Sequence, residues 1–333
     1  GYHRLTDSFR ESCCQWMKTR HDWDVQPDWI VPFEQVVPAL YNAVWTFTQP
    51  GDGILIQTPD YHHFTGATVN TGRKVLENRL VADEKGHYTV DFDDFREKAK
   101  QAKLFFLCSP QNPVGRVWTE EGLKKIAGIC RRGNVVLVSD EIHSDIIRRG
   151  VVHLPVIKAV EDTSNIILVS GANKTFNLMG LHCAYSIIPD ENLRKQYQKN
   201  YEPPMPTPFA IAGMTAAYNE CEDWLDQLND YLDDTMADAV DQIHQKLPLA
   251  KAYLPQGSYV LWIDFSGYGY STEILQELIY QRANVALQKG SSHDPDEGGQ
   301  FMRMCVTCSK GKIREAIERI AAAFEEYEAG NRK

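Results

Sequence analysis

Residues 135–143 read Val135-Val136-Leu137-Val138-Ser139-Asp140-Glu141-Ile142-His143. Four apolar residues run into Ser139 and then a carboxylate, without the polar alternation of a half-exposed strand. A continuous run suits a strand buried on both faces, as in a parallel sheet covered by helices. The same rhythm recurs at Ile54-Leu55-Ile56, Leu104-Phe105-Phe106-Leu107 and Ile166-Ile167-Leu168-Val169. Helix patterns separate the runs: Phe92, Phe95, Ala99 and Ala102, then Leu123, Ile126, Ala127 and Cys130. Thr119 is placed to cap the second of these, with Glu120 and Glu121 favourable at its positive end. The spacing predicts an α/β fold built on a three-layer, mainly parallel sheet.

After Pro203-Pro204-Met205-Pro206 the pattern changes. Helices are expected at about 208–219 and 223–246, a strand at Tyr259-Val260-Leu261-Trp262-Ile263, and a helix at 271–283. Another apolar run lies near Phe301–Met304, and a long helix is expected from Lys310 to the end. Mixed elements of that length read as a smaller C-terminal α+β domain. The division is a large domain at 1–222 and a small one at 223–333, in line with 333 residues being too many for one core.

Lys and Arg number 35 against 45 Asp and Glu, a formal net charge of −10. That balance offers no electrostatic footprint for a phosphate backbone, so nucleic acid is excluded as a direct partner. No apolar run approaches a membrane span, and no secretory signal is recognised, so a cytoplasmic location is expected. The chain begins at Gly1, without a Met, and enters a helical pattern at once (Phe9, Cys13, Trp16, Met17), so the expectation is that the natural N-terminus is absent. Eight cysteines are scattered. Cys108, Cys130 and Cys183 sit in or beside apolar stretches, as small hydrophobes do. Cys305-x-x-Cys308 is the one pair at ligand spacing, but it lacks a second pair, so no metal is expected.

Ligands of open α/β sheets bind beyond the carboxyl ends of the strands. Those ends carry Gln57-Thr58-Pro59-Asp60-Tyr61, Ser109-Pro110-Gln111-Asn112-Pro113, Ser139-Asp140-Glu141-Ile142-His143 and Ser170-Gly171-Ala172-Asn173-Lys174. Singly, each residue has an ordinary reading: Asp140 as an N-cap, Asn112 as a turn residue, Tyr61 as packing, Lys174 as a solvated charge. Together they make a set that pyridoxal phosphate catalysis uses. An amine binds the cofactor covalently, a carboxylate keeps its ring nitrogen protonated, and a donor and an aromatic face tune and hold the ring. At about 4 Å and an effective dielectric near 20, such an ion pair is worth ~4 kcal/mol. An amide could not replace the carboxylate.

At these residues the sequence resembles the fold-type I aminotransferase class I/II superfamily. Within it, the sequence is similar to the cystathionine β-lyase/cysteine-S-conjugate β-lyase (C–S lyase) branch. The likeness is carried by Ser109-Pro110-Gln111-Asn112-Pro113-Val114-Gly115-Arg116, Ser139-Asp140-Glu141-Ile142-His143 and Lys174-Thr175-Phe176-Asn177, in that order, and by Gly257–Asp264. The resemblance implies pyridoxal 5'-phosphate as cofactor. Lys174 would bind it and move the Cα proton, Asp140 would pair its ring nitrogen, Asn112 would bond its phenolic oxygen, and Tyr61 would stack on it. His143 would lie near that oxygen and Asn173 near the phosphate. Tyr2 would reach the phosphate of the partner subunit, making the site a property of a homodimer. Arg303 would clamp the substrate carboxylate, for which a bidentate guanidinium is suited.

The chain departs from the family pattern in four places. Residues ahead of the position of Gly1 are missing. Phe33-Glu34-Gln35-Val36 stands where a small residue usually opens a phosphate-facing helix, and Gly171 and Asn173 stand where hydroxyls are common. A Ser/His/Asp/Pro-rich stretch occupies 290–300. The function implied is β-elimination from a small-molecule sulfur amino acid: L-cystathionine or a cysteine S-conjugate to a thiol, pyruvate and ammonia. An aminotransferase shares the early steps but requires a keto-acid acceptor. A non-catalytic or regulatory relative with weakened cofactor binding is the third reading. His62-His63, Arg148-Arg149 and Asp233-Asp234 read as solvated charge, and Trp16, Trp23 and Trp29 as candidates for an exposed patch.

Overall fold

The structure is a computed structural model that describes residues 7–199 and 205–331. An eight-stranded sheet runs in the order β1-β8-β7-β6-β5-β2-β3-β4. Its strands are β1 (Ile30–Phe33), β2 (Gly53–Thr58), β3 (Lys74–Ala82), β4 (Tyr88–Val90), β5 (Ala102–Cys108), β6 (Val136–Asp140), β7 (Ile166–Ser170) and β8 (Ala184–Ile187). β3, β2, β5, β6 and β7 are mutually parallel, while β4 and β8 are antiparallel to their inner neighbours, as is β1 to β8. All four apolar runs are therefore adjacent central strands.

Burial on both faces explains why these runs do not alternate. Leu55, Phe105, Leu107, Leu137, Ile166 and Leu168 face one core. It is closed by the helices Asp7–His21, Phe92–Ala99, Glu120–Arg132 and Pro208–Glu220. Ile54, Ile56, Leu104, Phe106, Val138, Ile167 and Val169 face the opposite core, closed by the helices Val36–Phe47, His63–Val69 and Glu191–Lys199. Successive strand residues alternate between two apolar layers rather than between oil and water. The Thr119 hydroxyl caps its helix as expected, accepting from the Gly122 amide at 3.1 Å.

A second, four-stranded antiparallel sheet is ordered β11-β12-β10-β9, from β9 (Lys251–Ala252), β10 (Val260–Asp264), β11 (Gln288–Lys289) and β12 (Phe301–Cys305). It packs with the helices Glu222–Lys246 and Lys310–Asn331 around its own core, including Met236, Ile243, Leu261, Ile263, Met302 and Phe324. The helix Glu222–Lys246 spans both units, with Leu225 in the large core and Met236 in the small one.

Several local expectations are corrected. Trp16 and Trp23 are buried, and Trp29 is partly buried against the same core, so they form no exposed patch. Arg148 is buried and pairs with the mostly buried Asp233 at 3.1 Å, so neither is solvated charge. A buried guanidinium is tolerable only with such a partner. The helix expected at 271–283 is α only over Thr272–Gln276 and widens to a π turn over Glu277–Arg282. Among the described residues, no helix is long and apolar enough to cross a membrane.

Candidate active site

The site forms where the carboxyl ends of β2, β5, β6 and β7 meet the face of the smaller sheet. Lys174 lies on the short helix Ala172–Thr175 immediately after β7. Gly171 lets that turn approach β8 closely, since a Cβ there would meet the Cys183 carbonyl at 3.0 Å and the Ala184 Cα at 3.1 Å. The Lys174 Nζ sits 3.2 Å from the Met179 Sδ. Partial burial lowers its pKa and the Arg303 charge adds to that, against the opposing pull of Asp140. A desolvated amine is more often neutral, the form that can act as nucleophile or base.

Asp140 ends β6 and is buried, and its carboxylate accepts one hydrogen bond, from the Ile142 amide at 3.1 Å. Burial pushes its pKa up to about 7, against the Ile142 bond and the Lys174 charge. Among the described residues no cation stands within ion-pair distance of it. His143 is buried as well, and burial followed by the charges of Lys174 and Arg303 holds its ring neutral, its pKa down to about 3. Its Nδ1 lies 3.3 Å from the Ser258 Oγ, and its ring meets Tyr259 edge-on at 5.3 Å.

Asn112, in the loop after β5, is tied to the second sheet: the Arg303 Nη1 donates to its Oδ1 at 2.8 Å. The loop is fixed from below, with the Gln111 Nε2 donating to the Pro59 carbonyl at 2.6 Å and the Ser109 amide to the Asp140 carbonyl at 2.9 Å. Tyr61 follows β2, half-buried against His62, His63 and Phe64. Burial raises its phenol pKa, with Asp140 contributing. The two histidines are half-buried beside the ring rather than solvated. The His293 Nδ1 donates to the Asp60 carbonyl at 2.7 Å, which fastens the Tyr61 loop to the 290–300 stretch. Asn173 is buried and its Oδ1 has no protein partner, nor has the buried Ser109 Oγ. Tyr2 lies outside the described residues.

Lys174, Asp140, Asn112, Tyr61, His143 and Arg303 are thus gathered around one site. Beneath it lies a network that the sequence reading missed. Asp145 is buried and accepts from the Thr175 Oγ1 at 2.8 Å, the His21 Nε2 at 2.9 Å and the Trp16 Nε1 at 3.2 Å. Burial works to raise this carboxyl, but those partners outweigh it and hold it below the usual range. Glu141 accepts from the Ser139 Oγ at 2.9 Å and the His153 Nε2 at 2.8 Å. Partners as far apart as Trp16 and Asp145 leave no local signal in sequence.

Residues 1–320 match the family model of aminotransferase class I and II. The chain belongs to that family. Cystathionine beta-lyase PatB of Bacillus subtilis (strain 168) is 36% identical over 331 residues, covering 97% of this chain and 85% of PatB. Cystalysin from Treponema denticola, solved with pyridoxal 5'-phosphate, superposes with a TM-score of 0.94 at 32% identity, covering 98% of this chain and 84% of its own. A pyridoxal-phosphate-bound C-S lyase from Staphylococcus hominis gives 0.92 at 30%, covering 98% and 86%. The three-layer fold is the fold-type I architecture shared by these enzymes of the aminotransferase family.

The site fits the cofactor those structures hold. Asp140 is a buried carboxylate without a cation, the situation a protonated ring nitrogen relieves. The amine of Lys174, the amide of Asn112 and the ring of Tyr61 surround it. The helix Val36–Phe47 opens at Gln35, whose side chain makes no capping bond, which leaves the first backbone amides available to an anion.

Proposed function

We propose that the chain is a pyridoxal-phosphate-dependent carbon–sulfur lyase acting on L-cystathionine or cysteine S-conjugates. The observation that carries this reading is the convergence of Lys174, Asp140 and the Arg303–Asn112 pair in a chain 36% identical to a cystathionine beta-lyase. When bound, the cofactor supplies an electron sink that makes the substrate Cα–H acidic. Lys174 would bind it and would take the Cα proton, a role suited to an amine kept partly neutral by burial. Asp140 would pair with the ring nitrogen, Asn112 would bond the phenolic oxygen, Tyr61 would stack on the ring, and neutral His143 would flank it without adding charge. Asn173 supplies a polar group on the phosphate side. Arg303 clamps the substrate α-carboxylate, held in place by its bond to Asn112.

The Cβ–S bond breaks with its electron pair leaving on sulfur, the thiol takes a proton, and water completes hydrolysis to pyruvate and ammonia. The reading includes a cytoplasmic homodimer in which Tyr2 completes the partner's site, and a division into a large unit at 1–222 and a small one at 223–333. The test is pyruvate release from L-cystathionine by the cofactor-loaded chain with no keto acid present. Release without acceptor supports the lyase. Turnover that requires a keto acid would make the chain an aminotransferase, and an inert chain that still binds cofactor would make it a regulatory relative.

A further inference from the structure

Cys305 and Cys308 are the two exposed cysteines, the other six being buried or half-buried. Along β12, Met302 and Met304 turn into the small core, so Arg303 and Cys305 leave the opposite face together. Cys305 pairs across the sheet with Val260, next to Tyr259, whose ring meets His143. Cys305 lies near enough to Lys174 and Tyr259 for a charge on its sulfur to bear on both. Both thiols line a cleft of ≈ 440 Å³ together with Arg303 and Lys312. Among the described residues no third ligand completes a metal set with them. Two thiols and Lys312 therefore share a cleft with Arg303, whose guanidinium reaches Asn112 of the candidate site.

We infer that Cys305 accepts sulfane sulfur from the enzyme's own product when the substrate is a disulfide amino acid of the cystine class. This rests on the lyase reading. Elimination from a disulfide breaks one Cβ–S bond, and the leaving group departs with the electron pair as a hydropersulfide, R–S–S⁻, which Arg303 and Lys312 attract. Once it is protonated, the Cys305 thiolate attacks the terminal sulfur. A new S–S bond forms, the old one breaks, and R–S⁻ leaves: Cys305–S⁻ + R–S–SH → Cys305–S–SH + R–S⁻. No external oxidant is consumed, because the sulfane sulfur arrives already at that oxidation level. Cys308 shares the cleft and can take the sulfur onward by the same exchange.

The experiment turns over L-cystine with the cofactor-loaded chain, follows pyruvate, alkylates the thiols, and reads each cysteine peptide for the mass of one added sulfur. L-Cystathionine, which releases a thiol and no sulfane sulfur, is the parallel substrate. Lys174→Ala, given an added hydropersulfide, reports labelling from bulk solution. The expected result is labelling of Cys305 at roughly tenfold the level of Cys14 and Cys221 during cystine turnover. No label is expected with cystathionine, and no such preference in Lys174→Ala. Pyruvate from cystine with Cys305 unlabelled, or labelled no more than Cys14, overturns the inference and leaves the lyase intact. Pyruvate from cystathionine but none from cystine also overturns it. No pyruvate from either substrate overturns the lyase reading and the inference together.

Discussion

The Arg303 Nη1 donates to the Asn112 Oδ1 across 2.8 Å, joining β12 of the smaller sheet to the loop that follows β5 of the larger one. The bond fixes a guanidinium near enough to Lys174 for its charge to help lower the pKa of that amine. With Arg303 proposed as the carboxylate clamp, substrate capture would depend on how the two sheets are set against each other.

Arg303→Lys keeps the charge but loses the planar fork. A charge-assisted hydrogen bond contributes about 1.5–3 kcal/mol, so kcat/KM should fall roughly 10- to 100-fold. Most of the change should appear in KM, and steady-state kinetics with L-cystathionine would show it. Asn112→Ala should lower substrate affinity as well as cofactor affinity, whereas Arg303→Lys should leave cofactor titration close to wild type.

Lys174→Ala should abolish pyruvate formation, since proton transfer by a positioned base is worth about 10²–10⁴-fold before covalent binding is counted. A visible absorption titration with pyridoxal phosphate should show a saturating yellow band in the wild type and none in the variant. A variant that kept the band would remove Lys174 from its assigned role.

Asp140 makes a pH-dependent prediction about the cofactor-free chain. Its pKa in the fold is raised to about 7 from an ordinary 3.8. The native state therefore holds a proton that the unfolded state has lost between those values, and stability falls as pH rises through that window. Asp140→Asn removes this cost. Without cofactor, the variant should be more stable than wild type by on the order of 2–4 kcal/mol at pH 8, and the gap should close towards pH 4. Denaturant melts at both pH values measure it. With cofactor present the order should reverse, because the amide cannot pair a protonated ring nitrogen.

Thr175→Val removes one of three donors to the buried Asp145 and should lower stability by about 1 kcal/mol. Asp145→Ala strands all three donors and should lower it by about 3 kcal/mol or more. Thermal and denaturant unfolding check both. Because Thr175 adjoins Lys174, kcat in Thr175→Val should fall further than KM changes.

Much of this protein is decided by local sequence. Continuous runs such as Leu104–Leu107 can be stable only with apolar layers on both sides, so they specify a covered parallel sheet whatever the loops do. Chain order then places Tyr61, Asn112, Asp140 and Lys174 at the ends of neighbouring strands, and that order sufficed to bring an amine, a carboxylate, an amide and an aromatic ring to one edge of the sheet. Local pattern misjudged whatever depends on a distant partner. Arg148 reads as surface charge until Asp233, on a helix of a later segment, is brought beside it. Trp16 reads as an exposed ring until its indole finds Asp145 and its face stacks on Tyr218 at 4.7 Å. The bond from Arg303 to Asn112 spans the two sheets, as does that from His293 to the Asp60 carbonyl. Strand periodicity reports which face of an element is apolar. Which charge neutralises which, and how far burial moves a pKa, depends on the dielectric and on neighbours that only the folded chain assembles.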